Sequence, residues 1–391
     1  MVKYSGNNDA QPLFLVWFVP IYYILGLGMK RRPARKKGEL KKRTPPGAAP
    51  GTMLADPGAA RTQIDIITYG PSGFLEAKLT KVSEISAYRA NHPIIWVNIC
   101  GLGDIAALRE VGEVFGLHTL SLEDSVNVYQ RPKIELYGNY LYIVSRMADP
   151  EHRDATEQLS MFLGNNFVVT IQEKIGDCFD PLRERIRNAK GRIRETKSDF
   201  LGYSILDATI DFFFPLVESI SSEVEAIEEQ ISHKADRSLV QELYRLRHDL
   251  LSIRRSIAPL RDAISLLHKE PNQLIQDETR PYLRDCLDHT NQLLDAVDSN
   301  RDLISSLMEV YLSVASYKLN DVIRTLTVIS IFFMPLNLIA GIYGMNFHTD
   351  KSPYNMPELS WVYGYPFAIA LMATVCIGMF YFFHKKGWMR D

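Results

Sequence analysis

Cysteine is scarce in this sequence, and charge is nearly balanced. The four cysteines, Cys100, Cys178, Cys286 and Cys376, lie far apart and form no CxxC pair, which argues against a zinc ribbon or a disulfide framework and suits a reducing compartment. A net charge of -2 over 391 residues gives no global sign of a nucleic-acid partner. The nine histidines show no cluster along the chain and no nucleophile is paired with a base, so the chain is not read as an enzyme. Gly101 and Gly103 lack the third glycine of a dinucleotide fingerprint and read as a simple strand-to-helix turn. Charge itself runs out near the C-terminus: none falls between Arg324 and Tyr343, and none between Tyr363 and Phe383.

Those two gaps are each about the ~20 residues that ~30 Å of hydrocarbon requires. With 46% hydrophobic residues, the chain is too polar to lie mostly in a membrane and too apolar at its end to be wholly soluble. The first span continues a long helical pattern that starts near Pro281. Its early part carries a heptad-like apolar stripe at Leu283, Leu287, Leu294, Val297, Ile304, Met308, Tyr311 and Ala315, broken by Thr290 and Arg301. One rod of about 100 Å would then join a soluble domain to a membrane segment. Within the apolar half, Asn320, Ser330, Asn337 and Gly341 share a helical face with Ile323, Leu326 and Met334. Each small or polar residue alone fits tight helix packing in a membrane; as one stripe they fit a pore lining. Pro335 leaves the carbonyl of Ile331 without its helical donor, a break that membrane helices tolerate.

The rod ends on Tyr343-Gly344-Met345-Asn346. This, with the second span behind it, resembles the CorA family of magnesium channels, whose signature is Gly-Met-Asn at the outer end of the first of two C-terminal spans. The resemblance runs from about Pro45 to Trp388 and includes Met356-Pro357-Glu358-Leu359 and Gln130-Arg131-Pro132-Lys133. It implies a homo-oligomer, a pentamer, embedded in membrane lipid and conducting Mg2+ and also Co2+, with no organic cofactor and no nucleic acid. Gly344, Met345 and Asn346 would form the selectivity filter, Asn346 offering side-chain carbonyls to the water shell of an ion that sheds water reluctantly. Asn320, Ile323, Leu326, Ser330, Met334, Asn337 and Gly341 would line the pore and its gate. Asn346 as a helix C-cap, and lipid or neighbour packing for the others, are the competing readings. Glu358 and Asp350 in the outer loop would concentrate cations, or are solvated loop acids.

Basic residues beside the spans set orientation. His384-Lys385-Lys386 follow the second span, whereas Lys351 is the sole Lys or Arg in the loop before it. This places the C-terminus and the large preceding domain in the cytoplasm, and the resemblance places the spans in a bacterial or archaeal inner membrane.

The expected organisation is a basic tail over 1–60, an α/β domain over 61–180, a helical hairpin region over 181–280, the stalk and first span over 281–343, an external loop over 344–362, a second span over 363–383 and a basic tail over 384–391. The apolar run 11–28 is an extra anchor, a signal-like segment, or sequence upstream of a start at Met29, the reading preferred here. Short β-rich runs lie at Ile64 to Tyr69, Phe74 to Leu79 and Ile94 to Ile99, with helices at about Asp104 to Phe115 and Leu120 to Val128. Gly138-Asn139 and Gly164-Asn165-Asn166 are hairpin turns. The resembled family makes this an α+β domain, an α/β/α sandwich on a mainly antiparallel sheet. Acids Glu223, Glu225, Glu228 and Glu229 precede a breaker near Asp236, and Arg245, Arg247, Arg254 and Arg255 follow it, so the two arms of a hairpin would pair.

By resemblance, Leu122-Glu123-Asp124, Tyr203 to Asp207 and Arg284-Asp285 match segments that meet between neighbouring cytosolic domains, where regulatory Mg2+ holds the pore closed. The candidate ligands are Glu123, Asp124, Asp207, Asp211 and Asp285, though nothing local in the sequence makes them a site. Glu309 stands where relatives often carry Asp at the pore entrance, and Glu123 also fits a helix-start acid after Ser121. A Zn2+ transporter of the same superfamily and a membrane-anchored coiled-helix sensor or scaffold are the alternative functions; the polar stripe speaks against the scaffold, since an anchor needs no pore face.

Overall fold

The computed structural model describes residues 44–387 apart from 46, 90, 150–154, 234–235, 271, 346–351 and 353. The apolar run 11–28 therefore lies outside the described residues, as do Asn346, Asp350 and Lys351.

Seven strands build one mixed sheet: β1 Gln63–Gly70, β2 Gly73–Leu79, β3 Ile94–Cys100, β4 Lys133–Tyr137, β5 Tyr140–Ala148, β6 Thr156–Gly164 and β7 Phe167–Gln172. Their order is β2-β1-β3-β7-β6-β5-β4. Every neighbouring pair is antiparallel except β3 and β7, which run parallel with Ile95 opposite Phe167. The two sequence-read turns close β4 to β5 and β6 to β7, and Gly138 takes the left-handed φ of 54° that a tight hairpin requires. β3 is buried along its whole length, as a strand covered on both faces must be, and it reads as a continuous apolar run.

One face of the sheet is covered by α1 Ile85–Arg89, α2 Ile105–Phe115 and α3 Thr119–Val126, around Ile66, Val97, Phe162 and Val169. The other face, with Ile67, Trp96, Leu159 and Val168, meets α4 Asp180–Arg187 and α5 Ser198–Asp211. Three layers result, an α/β/α sandwich. Gly101 turns the chain from β3 toward α2 at a φ of 87°, and a Cβ there would stand 2.6 Å from the carbonyl of Arg61. Asp104 then caps α2 by accepting from the Ala107 N–H.

The second core continues without interruption into α6 Phe214–His233, α7 Arg237–Lys269 and α8 Arg280–Tyr343. Glu223 of α6 meets Arg245 of α7 at 2.6 Å, as the charge pattern suggests, whereas Arg254 turns to Asp298 of α8 at 2.9 Å. Thr290, read as a break in the apolar stripe, is buried within it, its hydroxyl donating to the Leu287 carbonyl at 2.8 Å. A threonine that satisfies itself this way costs the stripe little.

Three helical stretches among the described residues are long and apolar enough to cross a membrane: Ser198–Ile231, α8, and α9 Gly364–Lys385. The first is largely buried inside the helical core, where all-round apolarity is expected. The apolar windows of α8 and α9 are almost wholly uncovered.

Candidate ion path and candidate divalent-cation site

α8 is one helix of 64 residues that passes through Pro335. α9 packs back along its last part, bringing Phe332 and Phe383 to 5.9 Å between ring centres. On that side Ile331, Phe332, Pro335, Leu336 and Ile339 are half-buried. The other side carries Asn320, Ile323, Leu326, Ser330, Met334, Asn337 and Gly341, every one exposed in the single chain. Met334 is 71% exposed, more than most lipid-length apolar residues on the helix. The sequence-read stripe is therefore uncovered in the single chain, as is every residue around it from 316 to 327.

Gly344 ends α8 in ordinary right-handed geometry, its N–H donating to the Ala340 carbonyl at 2.9 Å, and Met345 follows, 48% exposed. The cap is thus Gly344, and a Cβ there would come within 3.2 Å of the Ala340 carbonyl. Glu358 lies half-buried in a short 3-10 turn, Pro357–Ser360, entered from Met356 at a left-handed φ of 48°. Glu309 is exposed on α8.

The five candidate acids fall into two groups. Glu123 and Asp124 sit on α3, whose Leu122 and Val126 anchor it to one face of the sheet. His118, accepting from the Leu120 N–H, caps that helix, so Glu123 is free of capping and instead accepts from the Gly51 N–H at 2.7 Å. Asp124 is held by Lys133 Nζ at 2.8 Å and by Gln130 Nε2 at 3.0 Å. Both partners come from the Gln130-Arg131-Pro132-Lys133 stretch.

Asp207, Asp211 and Asp285 belong to the opposite face, where α5 meets α8. They converge on His289, a residue the sequence reading passed over. His289 Nδ1 is 3.3 Å from Asp211 Oδ1 and 3.7 Å from Asp207 Oδ1, while Nε2 is 3.9 Å from Asp285 Oδ2. Ligand atoms of Asp207, Asp211 and His289 lie within 4.8 Å of one another. Burial, and then the charge of Asp211, push the Asp207 carboxyl above the usual carboxylate range; His289 pulls it back. Tyr203 donates to Asp207 at 3.4 Å. The only sequence signal for His289 is its place one helical turn after Asp285.

This donor set fits a divalent cation. Carboxylate oxygens suit Mg2+, and the imidazole extends the set toward first-row ions such as Co2+. His289 Nδ1 is buried with no hydrogen-bond partner, a cost that a ligated ion removes.

A long uncovered apolar helix, a second one packed against it and a mixed-sheet domain at the other end of the rod define a membrane protein with a large domain outside the bilayer. The chain matches the model of the CorA-like Mg2+ transporter protein family over residues 94–385. It is 42% identical over 348 residues to the cobalt/magnesium transport protein CorA of Thermotoga maritima, covering 88% of this chain and 97% of that one. To the cobalt/magnesium transport protein CorA of Methanocaldococcus jannaschii it is 26% identical over 328 residues, covering 83% of this chain and 100% of that one. The complete structure of the CorA magnesium transporter from M. jannaschii superposes with a TM-score of 0.71 at 23% identity, over 83% of this chain and 98% of that chain. The chain belongs to the CorA family, a family of transporters and not of enzymes. It is an integral membrane protein of that family, with its apolar spans at the C-terminal end.

Proposed function

We propose that this chain is a channel for Mg2+, and also for Co2+, built from several copies whose α8 faces surround one ion path. The observation that carries the reading is the exposed stripe from Asn320 to Gly341. Lipid would reject its two asparagines and its serine, α9 does not cover it, and identical stripes facing one another would. Closure about one axis gives a ring, a pentamer in the reading preferred here. Rings of Asn320 and Asn337 amides offer oxygens to a hydrated ion, and Met334 with Leu326 and Ile323 forms an apolar constriction that blocks it when narrow. Asn346, next after Met345, supplies the outer ring. Flow is passive and inward across an inner membrane, with the sheet domain in the cytoplasm.

The same reading gives the acids a regulatory task. In one chain the sheet stands between Glu123-Asp124 and the Asp207-Asp211-Asp285-His289 group, so an ion shared by the two groups must lie between neighbouring copies. Asp207, Asp211, His289 and Asp285 would hold it, with Glu123 approaching from the neighbour. Bound there, the cation neutralises carboxylates that otherwise repel each other. Asp124, already paired with Lys133, contributes less repulsion than its sequence position suggests. The closed ring is then the form favoured at high cytosolic Mg2+.

The test is uptake into proteoliposomes, with Mg2+, Co2+ and Zn2+ compared side by side under an inside-negative potential. Saturable Mg2+ entry that needs no nucleotide supports the channel. Zn2+ entry without Mg2+ entry would instead favour the zinc-transporter reading.

A further inference from the structure

β3 and β7 are parallel neighbours, yet the chain leaves them toward opposite faces of the sheet. β3 leads to α2, whose Leu108, Val111 and Phe115 pack with Ile66 and Val97. β7 leads to α4, whose Leu182 and Ile186 pack with Trp96 and Val168. Where two such connections part, at the carboxyl ends of the strands, an open sheet leaves a crevice. A cleft of about 550 Å³ opens there on the α4 side, within the size range of small-molecule sites. Its floor is polar. Register sets Asp65 of β1 beside Asn98 of β3, which faces Thr170 of β7, and sets Cys100 beside Gln172 one step further on the same face. The preceding row on that face, Ile67, Trp96 and Val168, is apolar.

Most charge around the cleft is spoken for. Asp177 accepts from Arg183 at 2.6 and 2.7 Å, and the Arg183 guanidinium lies 5.3 Å above the Trp96 ring. Glu76 accepts twice from Arg187 at 2.8 Å. Asp65 differs: its Oδ1 is shut off from solvent and has no hydrogen-bond partner. Burial pushes its carboxyl above the usual range, against the pull of Lys78 and Arg183. Gln172 Oε1 is also buried without a partner, its amide held by donation to Cys100 Sγ at 2.7 Å and Asp177 Oδ2 at 3.2 Å. The lining holds four acids, Asp65, Glu76, Asp177 and Asp180, against the three bases Lys78, Arg183 and Arg187, leaving one negative charge over.

Of the four lining acids, Asp65 is the one with no hydrogen-bonded base among the described residues, so a ligand that meets its carboxylate must donate and carry positive charge. A divalent metal is poorly served, because one free carboxylate is far short of the oxygen set it requires. An ammonium group brings one charge on three N–H donors. We propose that this cleft binds the protonated amine of a small organic cation, an alkyl diamine or polyamine, with Asp65 as its counter-ion.

The experiment is calorimetric titration of the full chain in detergent with putrescine and, separately, spermidine, at fixed saturating Mg2+. Asp65→Asn should weaken binding about tenfold or more, the scale of a partly buried charge-assisted hydrogen bond, with Mg2+ uptake unchanged. Lys78→Glu, at an exposed position opposite Asp65 in register, replaces a base that competes for that carboxylate and should tighten binding. No heat with either amine, equal affinity in Asp65→Asn, or unchanged affinity in Lys78→Glu would each overturn the proposal. So would Mg2+ or Co2+ binding that Asp65→Asn abolishes, since that assigns the cleft to a metal.

Discussion

Asp211 Oδ1 stands 3.3 Å from His289 Nδ1, so an imidazole joins the carboxylates of the proposed cation site. Oxygen ligands alone serve Mg2+, whereas an imidazole favours Co2+. His289→Ala should therefore weaken Co2+ protection of the closed form against protease by roughly tenfold, about 1.4 kcal/mol, while Mg2+ protection changes far less. Equal losses for both ions would mean that His289 only packs.

Asn346→Ala should abolish most Mg2+ uptake while leaving the oligomer intact, because the position follows the last residues of α8 in the chain, after Gly344 and Met345. Losing one ring of hydrogen bonds to the hydrated ion costs about 1.4 kcal/mol or more, a fall of at least about tenfold. Uptake and size-exclusion profiles measured together check both halves; normal uptake would remove Asn346 from the ion path.

Met334→Ala should raise basal leak. The residue is 71% exposed on the stripe, and in the proposed ring shortening it would widen an apolar constriction and lower the cost of wetting. Unchanged basal current in planar bilayers would turn Met334 toward lipid.

Glu157 should give the sheet domain a pH dependence. Burial pushes its carboxyl up to about 7, opposed by the Lys174 N–H that Oε2 accepts at 3.0 Å, with Glu173, Lys174 and Asp149 nearby. The folded state thus holds this proton more tightly than the unfolded chain. Its contribution to stability is full below the ordinary glutamate pKa and is lost as pH rises toward about 7. Glu157→Gln should abolish that decline and raise the melting temperature at pH 8. A parent and variant with parallel stability curves from pH 5 to 8 would show that the group is ionised throughout.

The two C-terminal apolar helices were legible because a charge gap is a local feature, and the bilayer forbids most alternatives to a helix. The hairpins at Gly138 and Gly164 were legible for the same reason. The parallel pairing of β3 with β7 was not, since it joins segments 72 positions apart, as in the hydrogen bond from Thr170 to Asn98. His289 escaped notice because its partners Asp207 and Asp211 come from α5, and the sequence shows only its neighbour Asp285. Thr290 looked like a break in the stripe; the Leu287 carbonyl that accepts its proton becomes available only once the helix exists. The pairing of Asp124 with Lys133 likewise depends on β4 folding back beside α3.

The unbroken run of α8 limits how its two ends can communicate. About 55 Å of helix separates Asp285 from Val322, where the apolar half begins, at ~1.5 Å per residue. The Debye length in physiological salt is about 8 Å, so the path is about seven Debye lengths and the field of a charge gained or lost at Asp285 falls roughly a thousandfold before it reaches the span. An ion in the proposed pore would not feel the occupancy of that site as a field. If the proposed site controls the span, the link must be displacement: a tilt or shift of the rod, carried by its backbone hydrogen bonds and indifferent to ionic strength. Salt should then weaken ion capture at the carboxylates without loosening the link between capture and closure.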